Sequence, residues 1–587
     1  MRGLTHRWIE PKDRSAREAI WPGFTLEPLA ARVLRARGFS DEASARSFCE
    51  PRLSGMHDPA LLPGVERASE RIVAALRAGE RVAIYGDYDV DGICASAILY
   101  HAMALVAPEA VREGRVTTYV PHRIDEGYGL NGDALEALAG QGVRVVVSVD
   151  CGITAFEAAR RARLAGLDLI ITDHHNPPDP ADGLPEAFEV VHPRLGGNSY
   201  PWGELAGAGV AFKLAWRLCT LAHGNDRLSD AWRTVLLDLL ALAGLATIAD
   251  IVPLLDENRI IARFGLQRLK STQLAGVNAL LEASDLSGQK IGPTEAGFML
   301  GPRLNACGRM GHAAEAVELL TTATPERAAE IAGALNRLNR QRQSTERAIF
   351  EQAAERAESS GMTGDGRRGI VLADPGWHAG VIGIVCSRLV GRYCRPALLF
   401  QQNGGFCKGS GRSVEGWNLH AALTACSEHI EQFGGHDMAA GMTIAADRFD
   451  RFAQAFLDHA DQTIADEFLL PSLTVDCEAA LGEFTVGALE QIESMGPFGR
   501  SNPAPNILVR RVRIARHPEP LGRHGRHLAL QVADDSRRML RLLGWGWGDR
   551  IERLHEGMHV DVTMRPSLNR WNGRVRIEPE LLDLRPA

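Results

Sequence analysis

The run Val82–Ile93, VAIYGDYDVDGI, constrains this chain more than any other stretch. A short apolar segment delivers three carboxylates, Asp87, Asp89 and Asp91, two positions apart and closed by Gly92, and an apolar pattern to Leu105 follows. That order predicts a strand, an acidic loop and a helix. Alternate residues of an extended loop face one way, so the carboxylates repel one another unless protons or a cation neutralise them. A divalent ion is the natural counter-charge, although a lone DxDxDG also occurs as a solvated turn.

The same arrangement recurs downstream. Arg144–Val149 is a β-branched run that ends at Asp150, Cys151 and Gly152 before a helical pattern over 155–165. Leu167–Ile171 is another, and it ends at Thr172, Asp173, His174 and His175. A strand over 116–120 leads to PHRIDEGYGLN, whose glycines mark an exposed turn carrying Arg123. Strands alternating with helices imply βαβ units and a mostly parallel sheet covered on both faces. Ligands in such sheets bind outside the carboxyl ends of the strands. Asp89, Asp91, Asp150 and His174 should therefore converge, although the sequence spreads them from position 89 to position 174. Asp250 closes a further apolar segment, LALAGLATIAD, and on its own reads as a helix-end aspartate. Hard oxygen donors with imidazoles and no thiolate suit Mn²⁺ or Mg²⁺ rather than structural zinc, so Cys151 reads as a small packed residue.

A chain of 587 residues is too long for one core and implies three to five domains. Residues 1–60 show little periodicity and read as an N-terminal extension, followed by the acidic α/β domain over 61–265. A helical connector over 266–361 contains GPRLNACGRMG, read as a glycine-punctuated loop offering Arg303, Asn305 and Arg309 to phosphate. In the same connector, a Thr324 cap and Pro325 open a helix running to Ser359, roughly 50 Å at 1.5 Å per residue. Residues 362–470 read as a smaller α/β domain with His378, Ser410, Arg412 and His436 in glycine-rich surroundings. There GSGRS offers a hydroxyl, a guanidinium and backbone N–H groups as a phosphate cradle. Residues 471–587 break into five short runs, 507–514, 528–532, 539–543, 560–564 and 575–578, which suggest a small β-barrel of the OB type. Its Trp545, Trp547 and Trp571 suit either stacking on single strands or filling the barrel. The GxG of LAGAGVAFKLAWRL, 205–218, lacks the third glycine and the preceding strand of a dinucleotide fingerprint and reads as close helix packing.

Charge and cysteines narrow the setting. The net charge is −8, yet residues 501–587 carry 16 Arg, no Lys and 10 Asp plus Glu, so an acidic body bears a basic tail. That division suits a metal enzyme with a separate polyanion-binding module. The most apolar region, 235–255, is interrupted by Asp238, Gly244, Asp250 and Pro253, and the N-terminus carries charges where a signal peptide needs an apolar core. Ten scattered cysteines with no CxxC pair read as reduced thiols, so a cytoplasmic protein with no membrane partner is expected.

Taken together, DYDVDG, VDCG, DHH and the later Asp250 resemble the four acidic motifs of the DHH phosphoesterase superfamily. GPRLNACGRMG, HAGVIGIVCSR, GSGRS and FGGH resemble its DHHA1 companion domain. With an OB-like tail, the resemblance narrows to the branch of exonucleases specific for single-stranded DNA. It implies a parallel-sheet DHH domain joined by a long helix to a smaller α/β DHHA1 domain, plus the OB barrel. It also implies two Mn²⁺ or Mg²⁺ ions: one held by Asp89 and Asp150, the other by Asp91, Asp150, His174 and Asp250, with Asp87 in support and His175 at the scissile phosphate. Arg123, Ser410 and Arg412 become candidates for a 5′ phosphate. Arg303, Asn305, His378 and His436 become candidates for the DHHA1 substrate face, with Arg309 beside them. The implied activity is 5′-to-3′ degradation of single-stranded DNA to nucleoside 5′-monophosphates in repair and recombination. A monomer is expected, with a helicase and a single-strand-binding protein as candidate partners. Some relatives carry a metal-binding His where this chain has Tyr85, which puts the first metal site in question. The alternatives are another DHH phosphodiesterase acting on short oligonucleotides, and a replication or repair scaffold without catalysis.

Overall fold

The computed structural model describes residues 2–10, 21, 23–122, 126–127, 129–195, 197, 200–310, 313–364 and 366–587. These fall into two compact units, one of residues 51–341 with 496–503, the other of the remainder.

The first unit is built on a five-stranded, all-parallel sheet in the order Val116–Tyr119, Arg81–Gly86, Val143–Val149, Asp168–Thr172, Glu189–Val191. Strand residues alternate between two apolar layers: Val82 and Ile84 enter one cluster, Ala83 and Tyr85 the other. Burial on both faces is why these strands read as unbroken β-branched runs. The helix Val90–Val106 is apolar almost all round because it packs between the sheet and the helices Gly207–His223 and Asp230–Ala249. Asp230–Ala249 is, among the described residues, the one helix long and apolar enough to cross a membrane by length and composition; here it lies against Val90–Val106 and Asp256–Leu269. Its Gly244 meets Gly265 of the latter, where an added Cβ would stand 2.8 Å from the Gly265 Cα, so the two backbones cross without side chains between them.

One sequence expectation fails here. Residues 301–310 are not a loop but the helix Gly301–Met310, entered through a π-helical turn over Ala296–Leu300. Its glycines serve close packing rather than turning: a Cβ on Gly308 would stand 2.7 Å from the Tyr88 carbonyl oxygen of the acidic loop. The long helix follows at Pro325–Ser359, with Thr324 Oγ1 accepting from the Arg327 N–H.

The second unit holds a five-stranded mixed sheet in the order Gln432–His436, Ala439–Ala445, Phe406–Arg412, Ala397–Asn403, Ile370–Asp374. Phe400, Phe452, Phe456 and Trp417 fill one of its layers, and Gly409 is needed because a Cβ there would enter the Phe400 ring. The tail closes into a five-stranded barrel, Ile507–Ile514, His527–Ala533, Met539–Gly544, Glu580–Pro586 and His559–Arg565, sealed by pairing of Arg513 and Ile514 with Ala533 and Val532. The last of its five strands differs from expectation. Residues 575–577 belong to a side hairpin, Leu568–Trp571 with Arg574–Ile577, and Glu580–Pro586 completes the barrel.

That strand was concealed by Asp583, a buried carboxylate between the inward Leu581 and Leu584. Asp583 accepts from the backbone N–H groups of Thr5 (3.1 Å) and His6 (3.0 Å) and from Trp8 Nε1 (2.8 Å). The N-terminal stretch is thus packed into this unit: Trp8 is buried, and Arg7–Ile9 pairs in parallel with Ser472–Thr474. The three tryptophans differ in burial. Trp547 is buried, whereas Trp545 and Trp571 are 55% and 73% exposed.

Candidate metal centre

The register of the parallel sheet sets Gly86 beside Val149 and Val149 beside Thr172, so Asp87, Asp150 and Asp173 leave three neighbouring strands side by side. The chain passes from Arg81–Gly86 to Val116–Tyr119 on one flank and then crosses to Val143–Val149 on the other. The acids therefore sit at the topological switch point, where open α/β sheets form their crevice.

Each acid is placed by its local structure. Asp89 is the N-cap of Val90–Val106, its Oδ1 accepting from the N–H groups of Asp91 (2.9 Å) and Gly92 (3.1 Å). Gly92 lets the loop fold back, since a Cβ there would stand 2.6 Å from the Asp87 backbone. Buried Asp91 accepts from the Gly207 and Ala208 N–H groups (2.6 and 2.8 Å), at the positive end of the helix Gly207–His223. Gly207 has no side chain because a Cβ would lie 2.5 Å from Asp150 Oδ1. The 205–218 segment is close helix packing, as its sequence suggests, and also an anchor for the acidic loop. Asp150 takes a left-handed φ of 62°, and Asp250 follows the last residue of Asp230–Ala249.

Three overlapping groups bring donor atoms within 4.8 Å of one another: Asp87, Asp89 and Asp150; Asp91, His174 and Asp250; Asp150, His174 and His175. His174 Nε2 is 3.2 Å from Asp150 Oδ1 and 3.7 Å from oxygens of both Asp91 and Asp250. Among the described residues it is buried there without a hydrogen-bond partner, and a nitrogen held among three carboxylates in this way fits coordination to a divalent ion.

The electrostatics agree. Burial and then the charge of Asp89 raise Asp91 to about 7, and burial with Asp91 and Asp89 raises Asp250 to about 8. Asp150 is pushed well above the carboxylate range by burial and by Asp91, Asp89, Asp250 and Asp87. Two unit charges 4 Å apart repel by roughly 4 kcal/mol at an effective dielectric of about 20, so bound cations would remove a real cost. Burial and the adjacent His175 lower His174 to about 3, leaving a neutral imidazole suited to a ligand. Burial lowers His175 as well, but the hydrogen bond and charge of Asp173 outweigh it and raise His175 to about 9.

Asp173 is a residue that sequence reasoning missed. Its Oδ1 accepts from the His174 N–H (2.7 Å), the His175 N–H (3.1 Å) and His175 Nδ1 (2.8 Å), while Oδ2 accepts from the Ile153 N–H (2.9 Å). Burial alone would raise it, yet the His175 contacts hold it down at about 2. The available signal was a carboxylate at a buried strand end beside two histidines. Tyr85 is buried, and its hydroxyl donates to the Gly129 carbonyl and accepts from the Asn131 N–H (3.2 Å each).

The remaining candidates divide. Asn305 and Arg303, expected in the helical connector as candidates for the DHHA1 substrate face, lie on Gly301–Met310, in the unit of the acids. Asn305 Oδ1 accepts from the Val90 N–H (3.0 Å), and Arg303 donates to Asn336 Oδ1 (3.2 Å) and the Met299 carbonyl (2.6 Å). Asn305, Gly308 and Arg309 line a cavity of about 310 Å³ with Asp87, Tyr88, Asp89 and Ala249. In the second unit, Arg412 Nη1 donates to Ser410 Oγ (3.2 Å) and the Gly411 carbonyl (2.7 Å). The backbone of 409–412 is paired on both sides in the sheet, so the expected cradle of backbone N–H groups is not formed and only the side chains remain for an anion. His378 caps the helix Ala379–Tyr393 by accepting from the Gly380 N–H (3.1 Å), and His436 Nδ1 accepts from the Met438 N–H (3.3 Å). Arg123 lies outside the described residues.

Comparison with known proteins places this geometry. Family models match in three segments: the DHH family N-terminal domain over 81–243, the DHHA1 domain over 366–465 and the RecJ OB domain over 475–583. The single-stranded-DNA-specific exonuclease RecJ of Escherichia coli is 33% identical over 518 residues, 85% of this chain and 87% of that protein. The chain belongs to the RecJ family. RecJ of Bacillus subtilis is 36% identical over 582 residues, covering 98% of this chain and 70% of that one. Among solved structures, Thermus thermophilus RecJ in complex with Mn²⁺ superposes with a TM-score of 0.81 at 28% identity, over 99% of this chain and 80% of that chain. A structure of the same RecJ with Mg²⁺ gives 0.76 at 28% identity, over 99% of this chain and 78% of that one.

Proposed function

We propose that this chain is a 5′-to-3′ exonuclease that hydrolyses single-stranded DNA to nucleoside 5′-monophosphates with two Mn²⁺ or Mg²⁺ ions. The observation that carries the reading is the convergence of Asp87, Asp89, Asp91, Asp150, His174 and Asp250 into donor groups that share Asp150 and His174. The names of the RecJ relatives supply the substrate. Asp87, Asp89 and Asp150 would hold one ion and Asp91, Asp150, His174 and Asp250 the other. Bound divalent ions supply acidity to an attacking water and offset charge on the phosphodiester.

The protein's own groups do the rest. Asp173 fixes the Nδ1 proton of His175, so the protonated imidazole presents Nε2 as a hydrogen-bond donor to the scissile phosphate. The Gly207 and Ala208 N–H groups keep Asp91 oriented. Arg123, Ser410 and Arg412 are each a candidate for the 5′ phosphate, and Arg303, Asn305, Arg309, His378 and His436 are candidates for contact with the strand. The exposed Trp545 and Trp571 and the arginines of the barrel add stacking and backbone charge. Ten free cysteines fit a reducing compartment, and we place the activity in the cytoplasm, in repair and recombination, carried out by a monomer that acts with a helicase and a single-strand-binding protein.

One assay tests the reading: single and double strands labelled at the 5′ or the 3′ end, with Mn²⁺, with Mg²⁺ and with chelator. Release of labelled mononucleotide from 5′-labelled single strands alone, dependent on metal, is expected. Turnover of dinucleotides without attack on long strands would replace it with a short-oligonucleotide phosphodiesterase, and inactivity with both ions would leave a scaffold.

A further inference from the structure

Eight residues far downstream of the acidic loops, Gly496–Pro503, belong to the same compact unit as the acids. They follow the helix Val486–Ser494 and precede the first barrel strand, and they dock on the segment just after Asp250. The Arg500 carbonyl accepts from the Leu254 N–H (2.9 Å), and Arg500 Nη1 donates to the Ile251 carbonyl (3.4 Å). Gly499 permits the contact, because a Cβ there would stand 2.7 Å from Leu254 Cδ1. The loop is braced from within: Gly499 and Asn502 exchange backbone hydrogen bonds (2.9 and 3.2 Å), and buried Asn502 donates from Nδ2 to the Pro497 carbonyl (2.9 Å).

This bracing delivers an arginine to the rim of an acidic site. Arg500 is exposed and makes no ion pair among the described residues. His175 and Arg500 are both cations whose charge holds the Asp250 carboxyl down, against burial and the neighbouring acids that raise it. On the other side of the contact, Ile251 is 64% exposed and held at a φ of 59°, a left-handed conformation that β-branched residues rarely adopt. An Arg whose Nη1 is tied to a carbonyl keeps Nε and Nη2 as donors in a planar fork, the geometry that matches phosphate oxygens. Hydrolysis of a phosphodiester builds up negative charge among carboxylates that already outnumber the positive charges of two divalent ions, so a fixed guanidinium at this rim acts where charge develops.

We propose that Arg500 contacts the phosphate undergoing cleavage and is carried to the Asp250 rim by the Gly496–Pro503 excursion, a role that rests on the phosphodiesterase reading above. The test uses the full-length protein, its Arg500→Ala and Arg500→Lys variants, and a 5′-phosphorylated single-stranded oligonucleotide with Mn²⁺. kcat and KM are measured separately, and Mn²⁺ affinity is measured by titration calorimetry without DNA. Arg500→Ala should lower kcat on the order of 100-fold, with Mn²⁺ affinity and Tm unchanged, and Arg500→Lys should recover part of the loss. An Arg500→Ala kcat equal to wild type overturns the assignment. So does a loss of Mn²⁺ affinity that accounts for the loss of kcat, since the arm would then only position Asp250. An inactive wild-type protein overturns instead the exonuclease reading beneath it.

Discussion

Asp173 Oδ1 stands 2.8 Å from Nδ1 of His175, so the acid that opens the DHH triplet directs its charge to the ring of the second histidine. The same oxygen accepts the backbone N–H groups of both histidines, and the other takes that of Ile153, in the turn that carries Asp150. One buried carboxylate thereby sets the orientation of two strand ends. In Asp173→Asn the amide must present its NH₂ either to the Ile153 N–H or to the His175 side, so one contact becomes donor against donor. Mn²⁺ affinity or turnover should fall about 10–100-fold, the usual range for groups that orient ligands from behind. Wild-type values in a calorimetric titration and a single-turnover assay would show that the orientation is maintained without this anion.

Metal removal should make stability depend on pH, with a definite sign. Burial and mutual repulsion raise Asp91 to about 7 and Asp250 to about 8, against a usual carboxylate value near 4 in an unfolded chain. The chelated folded protein therefore binds more protons than the unfolded chain between these limits. The stability it gains by protonation is fully present below about pH 4 and is lost as pH rises through about 8. Melting with chelator should give a higher Tm at pH 6 than at pH 8. Mn²⁺ should raise Tm most at the higher pH. A metal-free Tm that rises from pH 6 to pH 8 would contradict the electrostatic picture.

Gly207→Ala tests the helix end that holds the acidic loop. The new methyl would stand 2.5 Å from Asp150 Oδ1, while the Gly207 N–H donates to Asp91 at 2.6 Å, so relief of the clash must displace one of two carboxylates of the proposed metal centre. Mn²⁺ affinity should drop by at least tenfold, the scale of about 1.4 kcal/mol. The chelated Tm should change little, because alanine favours the helix that glycine weakens. Unaltered metal affinity would mean that the helix end can shift without disturbing either acid.

Asp150→Ala separates chemistry from grip. Asp150 belongs to two of the three donor groups, so its loss should abolish cleavage, while affinity for single-stranded DNA in a filter-binding assay largely survives. Retained turnover would refute its place as the shared ligand.

Much of the centre was legible because strand ends are local events. A β-branched run ending in Asp, as at Val149–Asp150, announces both the parallel strand and the exit of its side chain at the sheet edge. What escaped was decided by tertiary contact. The glycines of 301–310 read as turns, yet they are small because the Tyr88 carbonyl passes within reach of a Cβ on Gly308. Asp583 broke the alternation of the last barrel strand because its carboxylate is used by Thr5, His6 and Trp8, almost the whole chain length away. Asp173 was given no role from the sequence, because what it holds, the backbone of both histidines and the His175 ring, depends on where its oxygens point. Arg500 carried no local pattern at all, since its relation to Asp250 exists only after residues 496–503 fold back.

The 5′-end preference should reside in Arg412, whose position is set from two sides. Its Nη1 donates to Ser410 Oγ on the same face of the strand Phe406–Arg412, and Gly383 of the facing helix leaves the space: a Cβ there would lie 2.9 Å from Ser410 Oγ and 3.3 Å from Arg412 Nη2. Because the strand backbone is paired on both edges, an anion arriving here has the guanidinium and the hydroxyl to bind, and no row of N–H groups to substitute for them. A charge-assisted hydrogen bond contributes roughly 1.5–3 kcal/mol, so Arg412→Ala should reduce the preference for a 5′ phosphate over a 5′ hydroxyl by about tenfold or more. Gly383→Ala should give a smaller loss in the same direction by displacing Ser410 and Arg412 with both still present. Competition between 5′-phosphorylated and 5′-hydroxyl strands in one reaction measures the ratio directly, and a ratio unchanged in Arg412→Ala would move the 5′ pocket elsewhere on the protein.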